Sequence, residues 1–372
     1  MSGADLIPGP ETLQVPSLVF RILLVATFVL HLLLMNIALG GSVLNAAYRL
    51  RRRKAPPGAA GLPGAIALAV NLGVPPLLFV QVLFGQFFYS SSVLMASYWL
   101  AVIPLLILAY YAAYLMQGKG GKAKGFRAGT IWSLVSALLL LAVAFAYVNN
   151  MSLMLRYGQW PGYFADKRGL MLALSDPALF PRFLHFAVGA LAVASISWSA
   201  WARFRDRRAR SRGEDLAEDG GAKETGLRLF WIFTAIQAPI GVAWLATLPK
   251  ETVGLFMGGS AYGAVLLALG LLLAAGLLVH AIRGKFMATA LILAPTLVVM
   301  VLMRDLVRAS ALSPVFSAEA LKVEPQYGPL VLFLSTFAIG AAVLAWLIRA
   351  AFRAKPGAKL RTEGEETEGE SG

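Results

Sequence analysis

The chain has no cysteine in its 372 residues. That excludes disulfides, thiolate-bound metal, iron–sulfur clusters and covalent c-type haem attachment. Histidine, methionine and carboxylates remain as possible cofactor ligands. Histidine is scarce too, with three in all: His31, His185 and His280. No HExxH pattern is present, so a zinc enzyme has no support. Charge is also scarce. Asp, Glu, Lys and Arg make up 14% of the chain, hydrophobic residues make up 58%, and mean hydropathy is +0.71. A soluble domain averages about 25% charged and about 45–50% apolar residues. The composition is that of a membrane protein, with no polar stretch long enough for an appended soluble domain. The N-terminal MSGADLIPGPETLQVP lacks a basic n-region, so no cleavable signal peptide is expected. Neither a solenoid-period repeat nor inverted hydropathy symmetry is visible.

What is present is a series of apolar runs. A membrane span needs roughly 20 mainly apolar residues. Nine runs qualify, at about 16–48, 64–89, 93–116, 128–149, 182–202, 228–248, 259–282, 286–306 and 328–350. The expected fold class is an all-α polytopic membrane protein with nine transmembrane helices. The first run is long, so its last turns should project beyond the bilayer.

The formal net charge is +14, and its distribution shows what it means. RLRRRK (49–54), KGGKAKGFR (119–127), RFRDRRARSR (203–212) with Lys223 and Arg228, RGK (283–285) and the segment from Arg349 onward carry 24 Lys and Arg on one side. Eight lie on the other side: Arg156, Lys167, Arg168, Arg182, Lys250, Arg304, Arg308 and Lys322. The positive-inside rule then places the N-terminus outside and the C-terminus in the cytoplasm. The basic excess is topology, and no nucleic-acid partner is expected. Residues 1–355 read as a single transmembrane domain, and 356–372, ending EGEETEGESG, as a disordered acidic cytoplasmic tail.

Ionisable residues inside spans are costly and mark candidate sites. His31 lies in FVLHLLLMNIALGG, about fifteen residues into the first run, near mid-bilayer or somewhat outside it. Phe28, Met35 and Leu24 share its helical face. His185 lies in FPRFLHFAVGALAVA, one turn inside the outer boundary of the fifth run. Gly189 follows one turn inward, where an axial imidazole needs a small neighbour beneath a flat macrocycle. Arg182 precedes it one turn outward, where a haem propionate wants a cation. The bland alternative for each is a hydrogen-bonded packing histidine. His280 stands three residues before Arg283, at the cytoplasmic edge, where a structural role is favoured. Polar groups also gather at the outer ends of other runs: Lys250 and Glu251 after Pro249, Arg304 and Arg308 at i, i+4 with Asp305, and Gln81 and Gln86. For the arginines the plain reading is a snorkelling anchor. For Tyr157, Trp160 and Tyr163 it is an interfacial aromatic belt.

Several segments in order resemble subunit I of the cytochrome bd-type quinol oxidases, in a divergent, shortened form. LHLLLMNIALGG resembles the family's first-span segment and places His31 on a haem-binding histidine. FVQVLFGQFFYS is similar to the second-span pattern around a Phe-Gly pair. PRFLHFAVGALAV resembles the fifth-span segment and places His185 on an axial ligand of the low-spin haem b. LPKETVGLF stands where the family has its quinol loop, with Lys250 and Glu251 as candidate contacts. LMRDLVRA stands at the family's arginine-containing motif after the eighth span. The sequence departs from the family at Gln81, where a carboxylate is expected, and near Val301, where a carboxylate ligand is expected one turn before the arginine. The methionine opposite His185 is assigned to Met257, with Met303 as alternate.

The resemblance implies a membrane haem b electron-transfer subunit of a respiratory complex, an oxidoreductase of the bacterial inner membrane. It would exchange electrons with quinol or an extracytoplasmic cytochrome c. His185 and His31 would ligate haem iron, Arg182, Arg304 and Arg308 would hold propionates, and a second membrane subunit or a cytochrome c would be the partner. Oxygen reduction is weakened by Gln81 and Val301. Two other readings stand beside it: a transporter or channel, with Pro75-Pro76, Pro239 and Pro295 breaking spans, and a cofactor-free structural subunit of a membrane complex.

Overall fold

The computed structural model describes residues 2–52, 58–117, 126–213 and 221–353. Among them, nine helices are long and apolar enough to cross a membrane: α1 (Ser17–Arg52), α2 (Leu62–Leu94), α3 (Ala96–Leu115), α4 (Phe126–Leu155), α5 (Leu179–Ser211), α6 (Ala222–Ala246), α8 (Ala261–Ile282), α9 (Phe286–Leu312) and α10 (Tyr327–Arg353). The described part is mostly helical and holds no strand beyond one isolated bridge, Leu13 to Val323. These are the elements of a multi-pass membrane protein. A five-residue helix, α7 (Lys250–Gly254), and a π-helical turn over 255–259 join α6 to α8. This is the stretch that the family resemblance aligns with a quinol loop. The proposed tail 356–372 lies outside the described residues.

α1 is 36 residues long, about 54 Å at 1.5 Å per residue. It exceeds a roughly 30 Å hydrocarbon layer, in line with the overhang expected of the first run. Successive helices alternate in direction. One end of the bundle therefore collects the N-terminal segment and the connections before α5, after α6 and after α9. It is called the N-terminal face here; the opposite, basic face collects the Arg- and Lys-rich connections.

Helix pairing is alike in the two halves. α1 packs on α2 and α3 on α4; α5 packs on α6 and α8 on α9. The halves meet where α1 crosses α5, with α9 against α1 and α4 against α5. α1 can approach α5 because position 40 has no side chain: a Cβ on Gly40 would stand 2.0 Å from the Ala190 carbonyl oxygen. Small residues permit this kind of approach in membrane bundles. α9 then fills the angle toward the N-terminal face, with Leu297 and Val301 in one cluster with Leu32, Phe28 and Phe186.

The N-terminal face is closed by ordered chain. Leu13 and Val15 are each 1% exposed, and Trp160 is 2% exposed. Leu13 and Gln14 exchange backbone hydrogen bonds with the strand-like 322–326, and the Trp160 indole donates to Leu153 O at 2.9 Å. Trp160 was read from sequence as one of a belt of interfacial aromatics; it is a core residue instead, packed on Phe87. α10 makes few contacts with the bundle, and its described residues are exposed apart from Leu330; the bridge of Leu13 to Val323 sits just before it.

The contact at Gly40 yields a direct test. Gly40→Ala must push α1 from α5 and should destabilise the purified protein by about 1–3 kcal/mol, read as a lowered thermal midpoint in detergent. Gly64→Ala, where no atom lies within 4 Å of the added carbon, should leave the midpoint unchanged or raised.

Candidate functional site

The polar groups of α1, α5 and α9 converge in the half of the bundle near the N-terminal face, in three tiers. On α9, Leu297, Val301, Arg304 and Arg308 recur at i, i+4, i+7 and i+11, one helical face. Its first half is apolar and packed on α1. The same face carried further buries two guanidinium groups.

The uppermost tier joins α1, α9 and the α9–α10 connection. Arg21 donates to Asp305 at 2.8 Å and also pairs with Glu319. Arg308 pairs with the same Asp305. Arg308 is 4% exposed, and its guanidinium lies 4.2 Å over the Phe84 ring. Phe84 is where α2 leaves helical geometry, at φ −136° and ψ 29°. Nε and Nη1 of Arg308 are sealed from solvent with no hydrogen-bond partner. Glu319 lies outside the spans. The Ser317 hydroxyl holds its carboxyl below the ordinary value; Arg21 adds to this, against a partial burial that works the other way.

The second tier is Arg304 and Arg182. Arg304 lies 4.5 Å over the Phe28 ring and, among the described residues, has no carboxylate within ion-pair distance. Arg182 donates to Ser152 Oγ at 2.6 Å and stands 3.9 Å from Asp176. Asp176 is engaged more closely by Arg156, at 2.9 Å. Guanidinium charge in this layer thus outnumbers the carboxylates beside it. A charge taken out of water is stable only when paired, so the arrangement suits a bound anion.

One turn further in, Phe28 leads to His31 and Arg182 to His185. Register at the Gly40–Ala190 contact puts the two histidines within about 6 Å of each other in depth, little more than one turn, rather than at the separate levels expected from sequence. Their rings point to different neighbours. His31 Nδ1–H donates to the Ala69 carbonyl at 2.9 Å, and its ring covers Gly73 of α2, where a Cβ would stand 2.8 Å from Cε1. In a neutral ring this leaves Nε2 without a proton, 3.6 Å from the same Cβ position on Gly73. Metal-binding histidines usually donate their other N–H in this way. His185 turns toward α6, its ring centroid 6.0 Å from that of Trp244 and its Cε1 beside Gly241.

Gly189 has a different neighbour from the one the sequence suggested. Gln237 of α6 fills its slot: a Cβ there would stand 2.6 Å from Nε2, which donates to His185 O at 2.8 Å. Gln237 is an intramembrane polar residue that the rule used for the histidines would also have found. Met257 is 60% exposed and lines an open groove of about 490 Å³ with Val242, Leu245, Leu248 and Lys250. Met303 has its sulfur near Gly270 of α8. Glu251 is exposed beside Lys250. His280 bonds the Gly276 carbonyl of its own helix at 2.8 Å, a local tie that fits the structural role expected of it. Gln81 accepts from the Tyr89 hydroxyl at 3.3 Å, and Val301 is 5% exposed in an apolar cluster. A separate buried network went unread in the sequence: Asn45 Nδ2 donates to Ser133 Oγ at 2.6 Å, and Arg49 Nε donates to Asn45 Oδ1 at 3.2 Å.

Two imidazoles hang from parallel helices at similar depth, with three largely buried guanidinium groups above them and unpartnered nitrogen on Arg308. Among the described residues, no group of three or more His, Asp or Glu could hold a bare metal ion.

Because the Glu319 value is lowered in the folded protein, its stabilising effect is complete above the unfolded value of about 4.3. It is lost as pH falls below that, through the folded value. Glu319→Gln should therefore flatten the fall of the thermal midpoint below about pH 4.3 while changing little at pH 7; an acid limb identical to wild type refutes this. Comparison with known proteins yields no match: no family model, curated protein or solved structure resembles this chain detectably.

Proposed function

We propose that the chain is a membrane haem b electron-transfer subunit, similar in plan to subunit I of the cytochrome bd-type quinol oxidases. Its N-terminus would lie outside the bacterial inner membrane and its C-terminus in the cytoplasm. The observation that carries the reading is the similar depth of His31 and His185 in α1 and α5, below the layer of Arg182, Arg304 and Arg308, with anion-binding capacity left over. The one-sided distribution of Lys and Arg supports the orientation.

A bound haem supplies one-electron transfer; the chain's residues bind it and set its surroundings. His31 presents Nε2 because Ala69 O holds the proton on Nδ1. Arg304 and Arg308 would place positive charge above the imidazoles, beneath the apolar cluster that holds Leu13, Trp160 and Phe316. Such charge favours the reduced form of a cofactor and neutralises propionates. Lys250 beside the 490 Å³ groove at the end of α6 offers a cation at an apolar opening, suited to a quinol head group. An extracytoplasmic cytochrome c is the other candidate donor or acceptor, and a second membrane subunit the expected partner. Val301 and Gln81 stand where the family resemblance calls for carboxylates, which weakens oxygen reduction and leaves electron transfer the better supported activity.

The test is optical. Protein purified from haem-sufficient cells should show a b-type band in the reduced-minus-oxidised spectrum, and pigment extraction should give haem b. His31→Ala and His185→Ala should each remove one haem, and Arg304→Met should lower haem retention about tenfold. A wild-type protein with no haem band ends the reading; substrate flux in liposomes without haem would put a transporter in its place.

A further inference from the structure

From residue 12 to residue 165 the chain has no Asp or Glu. The four helices α1 to α4 therefore carry no carboxylate. At the basic face they end in RLRRRK (49–54) and KGGKAKGFR (119–127). Arg49 differs from its neighbours there. Arg51 is exposed, whereas Arg49 is only 6% exposed. Its Nε donates to Asn45 Oδ1 at 3.2 Å. Among the described residues that is its one side-chain hydrogen bond, and no carboxylate lies within ion-pair distance. Asp206 of α5, at the same face, is taken by Lys223. A charge removed from water is stable only when paired.

The guanidinium of Arg49 is held in place from beneath. Asn45 stands one turn back on the same face of α1. Its Nδ2 donates to Ser133 Oγ of α4 at 2.6 Å and to Met116 Sδ, just past the end of α3. Asn45, Met116 and Ser133 are each 1% exposed. Three helices thus fix one amide, and its oxygen orients the fork of Arg49 through Nε. Nη1 and Nη2 remain for a ligand.

Depth identifies the class of ligand. With the middle of α1 at the bilayer centre, Arg49 lies about 22 Å from that centre, at the headgroup level of a bilayer about 40–45 Å thick overall. Tyr111 and Tyr114 of α3 are 61% and 51% exposed. They stand within two turns of Met116 and mark the same boundary, where interfacial aromatics gather. A phosphodiester offers two oxygens to a guanidinium fork. We propose that Arg49, oriented by Asn45, binds the phosphate of an anionic phospholipid in the leaflet at the basic face. The site lies about 27 Å along α1 from His31, so it stands whether or not the chain binds haem. It gives the buried asparagine a purpose and supplies the negative charge that α1 to α4 lack.

The competing role for Arg49 is to cap the C-terminal end of α1, where a cation meets the helix dipole. The full chain, reconstituted in phosphatidylcholine alone or in equal parts phosphatidylcholine and phosphatidylglycerol, separates the two. Thermal midpoints are read in both lipids, and retained lipid is identified by native mass spectrometry. Wild type should retain phosphatidylglycerol and melt higher in the mixed lipid. Arg49→Gln should bind phosphatidylglycerol about tenfold more weakly, as expected when a hydrogen bond to a charged group is lost, and should lose the gain in midpoint. Arg51→Gln, on the exposed side, should keep both. In phosphatidylcholine alone Arg49→Gln should melt no lower than wild type, because it removes a buried charge that this neutral lipid pairs poorly. An Arg49→Gln that melts lower in phosphatidylcholine, or fails to fold in it, makes Arg49 a helix cap and overturns the site. Phosphatidylglycerol bound equally by wild type and Arg49→Gln, or not retained by wild type, overturns it too. Inorganic phosphate in large molar excess should leave both midpoint and retained lipid unchanged; protection by phosphate equal to that by the lipid overturns the lipid as the source.

Discussion

The backbone contact of α1 with α5 at Gly40 governs what the rest of the bundle can do. With Ala190 O 2.0 Å from where a Cβ would be, the two helices are as close as their main chains allow. Side chains must then be accommodated above and below that point. Toward the N-terminal face the space is taken by α9, whose Leu297 and Val301 pack on Leu32, Phe28 and Phe186. α9 continues rigidly in the same direction, so a face that begins as leucine and valine delivers Arg304 and Arg308 into the same layer. The buried charge is thus a consequence of helix geometry. The apolar half of α9 holds the polar half in place.

That charge sets the electrostatic problem. Asp305 is shared by Arg21 and Arg308. Arg304 rests on an aromatic face, and Arg182 reaches Asp176 only at 3.9 Å. An aromatic face returns only about 0.5–2 kcal/mol to a cation, far short of the cost of desolvating a guanidinium in a bilayer. The layer is stable when an anion with several acceptors enters it, or when water does. On the proposed reading, the two carboxylates of a haem would meet the polar tier and its apolar body the tier beneath. A free phosphate matches only the upper part, and it would leave His31 and His185 unused.

Much of the fold was legible because lipid imposes a simple rule. A span must be about 20 residues long and satisfy its own backbone, so nine apolar runs became nine helices among the described residues. The convergence of His185, Arg182, Arg304 and Arg308 was legible by the same logic, since ionisable groups in spans stand out. What faces what was not. Hydropathy gives depth but no azimuth, and Gly189 next to His185 read as room for a macrocycle when it is room for Gln237. Trp160 read as a belt residue because its neighbours are aromatic, although the chain folds it inward against Phe87. The strap of Leu13 and Gln14 on 322–326 joins segments more than 300 positions apart and leaves no local pattern. The close approach at Gly40 was partly visible, because a Gly-Gly pair inside a span is a packing signal; its partner was not.

The two histidines, similar in sequence setting, are held by different physics. His31 is tied to a backbone carbonyl of α2, an acceptor that no side-chain substitution removes, and a close-set Gly73 fixes its ring. The His185 ring lies beside the Trp244 indole and Gly241 of α6, with no hydrogen bond to its Nδ1. On the proposed reading the first imidazole has a fixed donor strength and the second an adjustable one. Two haems on such ligands would differ in potential even with the same chemistry at iron, because the hydrogen bond to the remote ring nitrogen sets how much charge the imidazole gives up. A difference of that kind makes electron flow between two nearby sites directional.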